Sequence, residues 1–489
     1  MDPLSLSARD LAAALRHRRI SAREVLEAHI ARIDAVNPAV NAVVTQVREQ
    51  ARAQALAADE LAAATAPEEL PVLHGIPMTH KDTHATAGIR TTSGSPLFAD
   101  LVPRQSDAVI ERFQRAGVIS TGKNNVPEFA AGSHTYNEVF GTTLNPYDLT
   151  RSAGGSSGGA GVTLATRIQP LADGSDMGGS LRNPAAFNNV VGFRATPGVV
   201  PNAPARDPRA WLGQKGAMAR SVEDVILALS VIAGPDARSP AWCPTPAGAF
   251  ADLLTEAVGR GTPDRPLAGV RVAVTTDFGL DVPVEDEVAG VVLRQAEVLA
   301  GLGASVVQGC PRLREADRVF DATRAFDMAL ALRDVVASHP GQVKDEVLWN
   351  VERGLALTSV DLMEVAVARG RLDREIGRFF GAGPAEGSGD RGVDVLLAPT
   401  TQLVPFPAEW TWPREVAGTP MQTYIEWMRS VTLISATGCP AISVPGGFTA
   451  AGLPVGLQLV GAPGRDVDLL RVARAYDEAT RHADRAPAI

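Results

Sequence analysis

Hydrophobic positions recur at helical spacing near the start of the chain and in short strand-like runs from residue 72 onward. Ser21 to Glu24 forms a capping-box pattern, and apolar residues follow at helical spacing from Val25 to Ile33. This pattern predicts paired amphipathic helices, the second of which stops at Asn37-Pro38. The alanine-rich segment 51–66 predicts a further helix that runs into a loop.

Short apolar runs alternate with helical stretches through the rest of the chain. The strand-like runs are 72–78, 117–122, 167–172, 270–274, 304–307, 394–398, 441–444 and 455–460. Helices are predicted between them: one capped by Ser221 that ends at Gly234-Pro235, one near 283–302, and one from about residue 466. Such alternation favours an α/β sheet that is covered on both faces.

Strand-like runs return on both sides of a mostly helical stretch near residues 312–380, which leads into the glycine-rich loop 381–392. We therefore predict a single domain over residues 1–489 with a helical insertion near 312–380. Residues 236–268 are rich in Pro, Ala and Gly, which predicts a surface excursion or linker.

The composition narrows the class of protein. Of the 489 residues, 45% are hydrophobic and 21% are charged, which is typical of a soluble globular protein. The net charge of −9 disfavours a surface that binds nucleic acid. Since no apolar run reaches the ~20 residues of a membrane span and no signal-peptide pattern opens the chain, we predict a cytoplasmic protein.

The cysteines and histidines are scattered. Cys243, Cys310 and Cys439 form no C-x-x-C pair, which favours a reducing compartment over a disulfide framework. No ligand motif for a metal and no glycine-rich loop for a nucleotide occurs, so we expect neither a metal nor a cofactor.

Two serines framed by glycines carry the strongest chemical signal. Ser156 follows Gly154-Gly155, and Ser180 follows Gly178-Gly179. Glycines let main-chain N–H groups turn inward as a nest for an anion. Beside a serine hydroxyl, such a nest supplies the nucleophile of acyl transfer and the donors for its oxyanion. Ser180 is also expected at a helix start, where the dipole favours an anionic oxygen; plain N-capping is the alternative.

Lys81 stands in an apolar, turn-bounded segment between Gly75 and Asp82. A lysine that acts as a base must be neutral, so its pKa must fall through desolvation or a nearby positive charge. The apolar neighbours are consistent with burial, although exposed lysines are more common. We assign no direct role to His80 and His84.

Two other motif matches have to be weighed. The block G-G-S-S-G-G fits the G-x-S-x-G nucleophile elbow at Ser156 or Ser157, but the segment before it is polar. His339 and His482 are the downstream histidines that such an esterase would need. Ser120 to Lys123 matches the S-x-x-K of penicillin-recognising enzymes, whose companion motifs S-D-N and K-T-G are absent.

Together the motifs resemble those of the amidase signature family. G-I-P-x-x-x-K-D, G-K-N-N-x-P-E-F, F-G-T-T-x-N-P-Y-D, the glycine-serine block and G-G-S-L-R-x-P-A occur in family order between about Leu73 and Pro197. The later S-x-T-G-x-P-A-I-S-V-P and G-L-P-V-G-L-Q-L-V-G resemble its C-terminal signatures. The resemblance implies an α/β fold with one large, mostly mixed β-sheet between α-helical layers, and an amide hydrolase that forms an acyl-enzyme.

The resemblance also implies a role for each residue of a Ser-Ser-Lys triad. Ser180 corresponds to the nucleophile, Ser156, reached through a cis peptide after glycine, to the proton relay, and Lys81 to the base. The N–H groups of Met177, Gly178, Gly179 and Ser180 would form the oxyanion hole, and Ser157, Asp176 and Arg182 would support the loop. The family often has threonine where this chain has Ser175.

Two functions remain open at this point. One is a free-standing hydrolase of small amides, and the other is the glutaminase subunit of a tRNA-dependent amidotransferase. The acidic charge and Met177, where glutaminase subunits usually have threonine, favour the first. A homodimer is left open. The helical stretch 312–380 and the segment around Trp410, Trp412, Tyr424 and Trp427 are expected to line the substrate pocket.

Overall fold

The computed structural model describes residues 2–241, 243, 245–246, 248–259, 261–381 and 392–489. The predicted glycine-rich loop 381–392 therefore lies outside the described residues except at its two ends. Within these ranges there are fourteen α-helices: α1 (Ala8–Arg16), α2 (Ala22–Val40), α3 (Arg48–Ala64), α4 (Ala108–Arg115), α5 (Gly158–Ala165), α6 (Arg182–Phe187), α7 (Val222–Ile232), α8 (Ala249–Thr255), α9 (Asp286–Gly301), α10 (Ala316–Ser338), α11 (Asp345–Leu355), α12 (Ser359–Phe379), α13 (Arg429–Ala436) and α14 (Asp466–Thr480).

The strands of the described ranges form one large sheet and several small ones. They are β1 (Val43–Gln46), β2 (Pro77–Lys81), β3 (Ile119–Asn124), β4 (Tyr136–Asn137), β5 (Gly141–Thr142), β6 (Leu144–Asn145), β7 (Asp148–Ser152), β8 (Leu171–Asp176), β9 (Val191–Arg194), β10 (Gln214–Ala219), β11 (Arg271–Val274), β12 (Ser305–Gln308), β13 (Val395–Pro399), β14 (Glu415–Val416), β15 (Thr419–Pro420), β16 (Ala441–Phe448) and β17 (Pro454–Gly461).

The large sheet has eight strands in the order β12-β11-β13-β17-β16-β9-β10-β8. Strand β11 is parallel to both β12 and β13, and the remaining pairs are antiparallel. The predicted large mixed sheet is confirmed. Strand β8, which leads into the glycine-serine loop, lies at one edge.

Apolar residues alternate between the two faces of this sheet because successive side chains of a strand point in opposite directions. Val272 and Val274 of β11 pack with α7, α9 and α14, whereas Ala273 between them packs on the other face with α6, α10, α12 and α13. Both faces are therefore buried under helices, as the alternation of elements predicts.

A three-stranded sheet, ordered β1-β3-β2, lies beside β8 and brings Lys81 to the glycine-serine loop. Strand β2 is parallel to β3, and β1 is antiparallel to it. The Thr79 N–H donates to Gln169 Oε1 at 2.8 Å, and the Lys81 N–H donates to Asp173 Oδ2 at 3.2 Å. These bonds tie the end of β2 to the edge of the large sheet.

Most predicted elements agree with the structure to within a few residues, and the capping box at Ser21 is confirmed. The predicted stop at Asn37-Pro38 is wrong, because α2 continues through Pro38 to Val40. It ends at Asn41, whose φ of 51° and ψ of 49° are left-handed, a conformation that asparagine tolerates. The predicted linker 236–268 is not wholly irregular, since it contains α8.

The helical stretch near 312–380 consists of α10, α11 and α12, which pack against one another. Its inner face closes over the end of the sheet that carries the glycine-serine loop, through residues such as Phe320. Among the described residues, no helix combines the length and apolar character that a bilayer span requires.

Candidate active site

Lys81 is the last residue of β2 and is fully buried. Its Nζ donates to three hydroxyls, Ser156 Oγ at 2.8 Å, Ser157 Oγ at 2.9 Å and Ser175 Oγ at 3.0 Å. Burial, reinforced by the positive charge of Lys215, lowers the pKa of Lys81 to about 7. A substantial fraction of Lys81 is therefore neutral near pH 7 and can accept a proton from a bound hydroxyl.

Ser156 and Ser157 precede the short helix α5, and both are fully buried. The peptide bond between Gly155 and Ser156 is cis. The Gly155 carbonyl accepts a hydrogen bond from Ser133 Oγ at 2.6 Å, and the Ser157 N–H donates to the Ser180 carbonyl at 3.2 Å. The backbone thus joins the Ser156 segment to the Ser180 segment.

Ser180 lies two residues before α6, so the predicted helix start is close to its observed place. It does not act as an N-cap, because Leu181 occupies that position and no side-chain cap bond forms. Unlike Ser156, Ser180 is only half-buried, and its hydroxyl faces a cavity. An accessible hydroxyl is what attack on a substrate carbonyl requires.

Asp176 and Arg182 hold the loop that carries Ser180. Arg182 Nε donates to Asp176 Oδ2 and Nη2 to Oδ1, both at 2.9 Å, and both side chains are fully buried. Burial alone would raise the pKa of Asp176, but the Arg182 charge holds that pKa well below its ordinary value. Asp176 therefore stays ionised and also accepts the N–H groups of Gly179 at 2.9 Å and Leu181 at 3.2 Å.

Two glycines in this loop let neighbouring helices approach closely. Gly179 has a φ of +94°, and a Cβ there would lie 2.5 Å from Val431 Cγ2 of α13; one on Gly178 would lie 2.9 Å from the Phe320 ring of α10. Because the Gly179 N–H already donates to Asp176, it is not free to bind an oxyanion. This corrects the expectation of four donors and leaves those of Met177, Gly178 and Ser180.

A cavity of about 200 Å³ brings the two serines to one place. Its walls come from the serine loops, from strand β10 and from helix α10. The lining residues are Phe129, Ala130, Ser156, Ser175, Asp176, Met177, Ser180, Asn202, Gly213, Gln214, Lys215, Arg324 and Met328. This volume is below the roughly 300–1,000 Å³ of drug-sized ligand sites, which favours a small substrate.

The expected pocket residues divide between this cavity and the rest of the molecule. From the helical stretch, Arg324 and Met328 of α10 line the cavity. Trp412 and Tyr424 instead line a separate, larger cavity of about 720 Å³. Trp427 is buried in the apolar core, 5.3 Å from the Phe406 ring, and does not line either cavity.

A buried polar group beneath Lys81 was not predicted from the sequence. Asp173 accepts the Lys81 N–H and also hydrogen-bonds to Nδ1 of His80 and of His84. Burial lowers the pKa of His84 to about 3, so this histidine is neutral. The available signal was an aspartate inside the otherwise apolar strand β8. Lys215, which lines the cavity 3.5 Å from Asp107 Oδ2, gave no sequence signal.

The alternative motifs have other partners. Lys123 donates to the His84 carbonyl and to Thr86 Oγ1, and Ser120 Oγ pairs with His80 Nε2, so S-x-x-K is not a nucleophile and its base. His339 Nδ1 contacts the Val335 carbonyl at 3.1 Å. The ring of His482 lies beside Gly447. No histidine is among the described residues that line the cavity, which leaves an esterase triad without its base.

The described ranges contain no group of three or more His, Cys, Asp or Glu side chains placed to hold a metal ion. The polar groups around Ser156 and Ser180 are hydroxyls, main-chain amides and the Lys81 amine. Such a set can bind and move protons and stabilise an oxyanion, which are the requirements of acyl transfer.

Comparison with known proteins agrees with this chemistry. The amidase family model matches residues 24–470. The chain is 34% identical to a subunit of the glutamyl-tRNA(Gln) amidotransferase of a Synechococcus strain, over 99% of this chain and 100% of the relative, and 33% identical to an acylamidase of Rhodococcus erythropolis, over 99% and 97%. A bacterial aryl acylamidase structure superposes with a TM-score of 0.87 at 26% identity, covering 99% of this chain and 98% of that one.

A fold with an eight-stranded mixed sheet and a buried lysine among serines is thus shared with amide-cleaving enzymes. The chain belongs to the amidase signature family and is an amide hydrolase.

Proposed function

We propose that this chain hydrolyses small amides on its own, through a Ser-Ser-Lys triad and an acyl-enzyme intermediate. The observation that carries the proposal is the buried Lys81 Nζ, 2.8 Å from Ser156 Oγ, beside the cavity that Ser156 and Ser180 line together. Its pKa of about 7 suits a general base that works near neutral pH.

In the proposed mechanism, neutral Lys81 takes the proton of Ser156 while Ser156 takes that of Ser180. The Ser180 oxygen attacks the substrate carbonyl, and the N–H groups of Met177, Gly178 and Ser180 stabilise the oxyanion. The proton held by Lys81 returns through Ser156 to the substrate nitrogen, and the C–N bond breaks. Water then attacks the ester on Ser180, with the same relay acting as its base, and releases the acid.

Supporting residues are assigned from their contacts. Ser157 and Ser175 accept the other two hydrogen bonds of Lys81 Nζ and so fix its position. Asp176 and Arg182 keep the Ser180 loop in place through their buried ion pair. The cavity of about 200 Å³ favours a small acyl or amine group.

The test is covalent labelling followed by peptide mapping. A fluorophosphonate probe is expected to label the peptide that contains Ser180, and Ser180→Ala should abolish labelling. Ser156→Ala should slow labelling without moving it, because Ser156 relays the proton but does not form the bond. A label on Ser156 or Ser157 in the unmodified protein would contradict the assignment.

A second function is supported by one specific observation, the 34% identity along the full chain to a component of glutamyl-tRNA(Gln) amidotransferase. On that alternative, the same triad would release ammonia from glutamine for a partner. If the purified chain cleaves no simple amide, and glutaminase activity appears only after other subunits and tRNA are added, this second function replaces the first.

A further inference from the structure

Arg324 is a buried arginine in the wall of the cavity that Ser156 and Ser180 line. It lies on α10 and is 6% exposed. Its Nε donates to Asn350 Oδ1 at 3.1 Å, Nη2 donates to the Tyr424 hydroxyl at 2.7 Å, and Nη1 contacts Met177 Sδ at 3.3 Å. All three acceptors are uncharged, and thioether sulfur is a weak acceptor.

No carboxylate of the described residues lies within ion-pair distance of Arg324. Two acids on the same helix are near but engaged differently: Asp321 pairs with Arg353 at 3.7 Å, and burial raises the pKa of Asp327 to about 7. A buried guanidinium is ordinarily paired with an anion, because an unpaired charge loses its hydration without compensation.

The other charges that line the cavity are already paired. Lys215 lies 3.5 Å from Asp107, and Asp176 is held by Arg182. Arg324 therefore supplies the one uncompensated charge among the described residues of the cavity wall. Its Nη1 is held by a sulfur contact to Met177, which a stronger oxygen acceptor can displace.

We propose that Arg324 binds a carboxylate of the substrate, so that the preferred substrates are small amides that also carry a carboxylate group. This inference rests on the proposed function and names the substrate class of the same site. Guanidinium binds carboxylate through charge-assisted hydrogen bonds, which are stronger than those to neutral acceptors. The carboxylate can stand on the acyl side of the amide or on its amine side.

The cavity also distinguishes between two kinds of anionic amide. Its lining contains one acidic side chain, Asp176, whose oxygens are occupied by Arg182 and by main-chain N–H groups. An ammonium group on the substrate therefore finds no free carboxylate. Glutaramate, which has the carboxylate alone, is expected to be a better substrate than glutamine, which adds an ammonium.

The experiment compares kcat/KM for matched amides. On the acyl side, glutaramate is compared with the neutral glutaramide and with glutamine; on the amine side, N-acetylglycine is compared with N-acetylglycinamide. At least one anionic member is expected to exceed its neutral partner by on the order of tenfold to a hundredfold, as charge-assisted hydrogen bonds predict. The pair that shows the preference identifies the side that faces Arg324.

Arg324→Gln is expected to reduce this ratio to about one, because glutamine can still bond to Asn350 and Tyr424 but lacks the charge. Arg318→Gln is the matched control: it removes a charge from the exposed side of α10, where Arg318 pairs with Glu364, and should keep the ratio. Thermal unfolding and fluorophosphonate labelling of each variant establish that it is folded. Glutarate should also protect Ser180 from labelling in the unmodified protein and much less in Arg324→Gln.

The outcomes separate the two proposals. If neutral amides are cleaved as well as anionic ones, or if Arg324→Gln keeps the ratio, the assignment of Arg324 is wrong while the proposed hydrolase stands. If no amide of the panel is cleaved, the proposed function is wrong, and the inference falls with it. A preference for glutamine over glutaramate would also contradict the inference, because it requires a site for the ammonium group.

Discussion

At the scale of single residues, the chemistry depends on how the surroundings of Lys81 lower its pKa to about 7, mainly by burial. Below that pH, Lys81 is protonated and cannot accept the proton of Ser156. We therefore expect kcat/KM to fall on the acid side with an apparent pKa near 7. Lys81→Ala should lower kcat by about 10²–10⁴-fold and remove this limb. Near-normal turnover in Lys81→Ala would refute the triad.

The charge of Lys215 contributes to the same shift and can be tested separately. A positive neighbour disfavours protonated Lys81, so removing it must raise the pKa of Lys81. Lys215→Met is expected to move the acidic limb of the pH–rate profile to higher pH, whereas Lys215→Arg, which keeps the charge, should leave it in place. A limb that moves equally in both variants would assign the effect to packing instead of charge.

The sequence allowed some of these residues to be predicted and not others. Lys81, Ser156 and Ser180 stand in local patterns of glycine and apolar residues, and those patterns are visible without a structure. Asp173 and Arg324 contribute through contacts between segments far apart in the chain. No local pattern records which buried charges face one another, so their roles appear only once the fold is known.

At the scale of elements, α5 is positioned by the close approach of its first turn to two other segments. A Cβ on Gly159 would lie 2.4 Å from the Asn125 N and 2.9 Å from the Ala42 carbonyl oxygen, both main-chain atoms that cannot move independently. Gly159→Ala is therefore expected to shift α5, together with the preceding Ser156 and Ser157. Both the melting temperature and the rate of fluorophosphonate labelling should fall.

Gly377 of α12 is the matched control. An added Cβ meets nothing within 4 Å there. Because alanine is favoured over glycine in a helix interior by roughly 0.8–1.0 kcal/mol, Gly377→Ala should keep or raise the melting temperature and leave labelling unchanged. If Gly159→Ala behaves in the same way, the close packing of α5 has no functional weight.

Elements themselves were predictable to different degrees. Helices with a capping residue and a regular apolar spacing, such as α7, begin and end near their predicted positions. The end of α2 was missed because Asn41, in a left-handed conformation, ends the helix after the proline. Strand existence followed from apolar runs, but strand order did not, since pairing is decided by contacts between distant segments.

At the scale of the whole molecule, the proposed site is complete within one chain. Lys81, the serines and the loop donors require no metal for the proposed steps. The purified protein is expected to hydrolyse a small amide at the same rate with and without a chelator such as EDTA. A loss of activity that zinc or magnesium restores would contradict the mechanism.

The order of strands in the large sheet has a consequence for synthesis on the ribosome. Strands β16 and β17, at residues 441–461, lie between β9 and β13 and join two groups of strands made much earlier. Until this hairpin leaves the exit tunnel, the nascent chain presents β9 and β13 as unpaired edges, which are sites of intermolecular association. Chaperones that shield exposed edges should therefore matter most late in translation, when nearly the whole chain has been made.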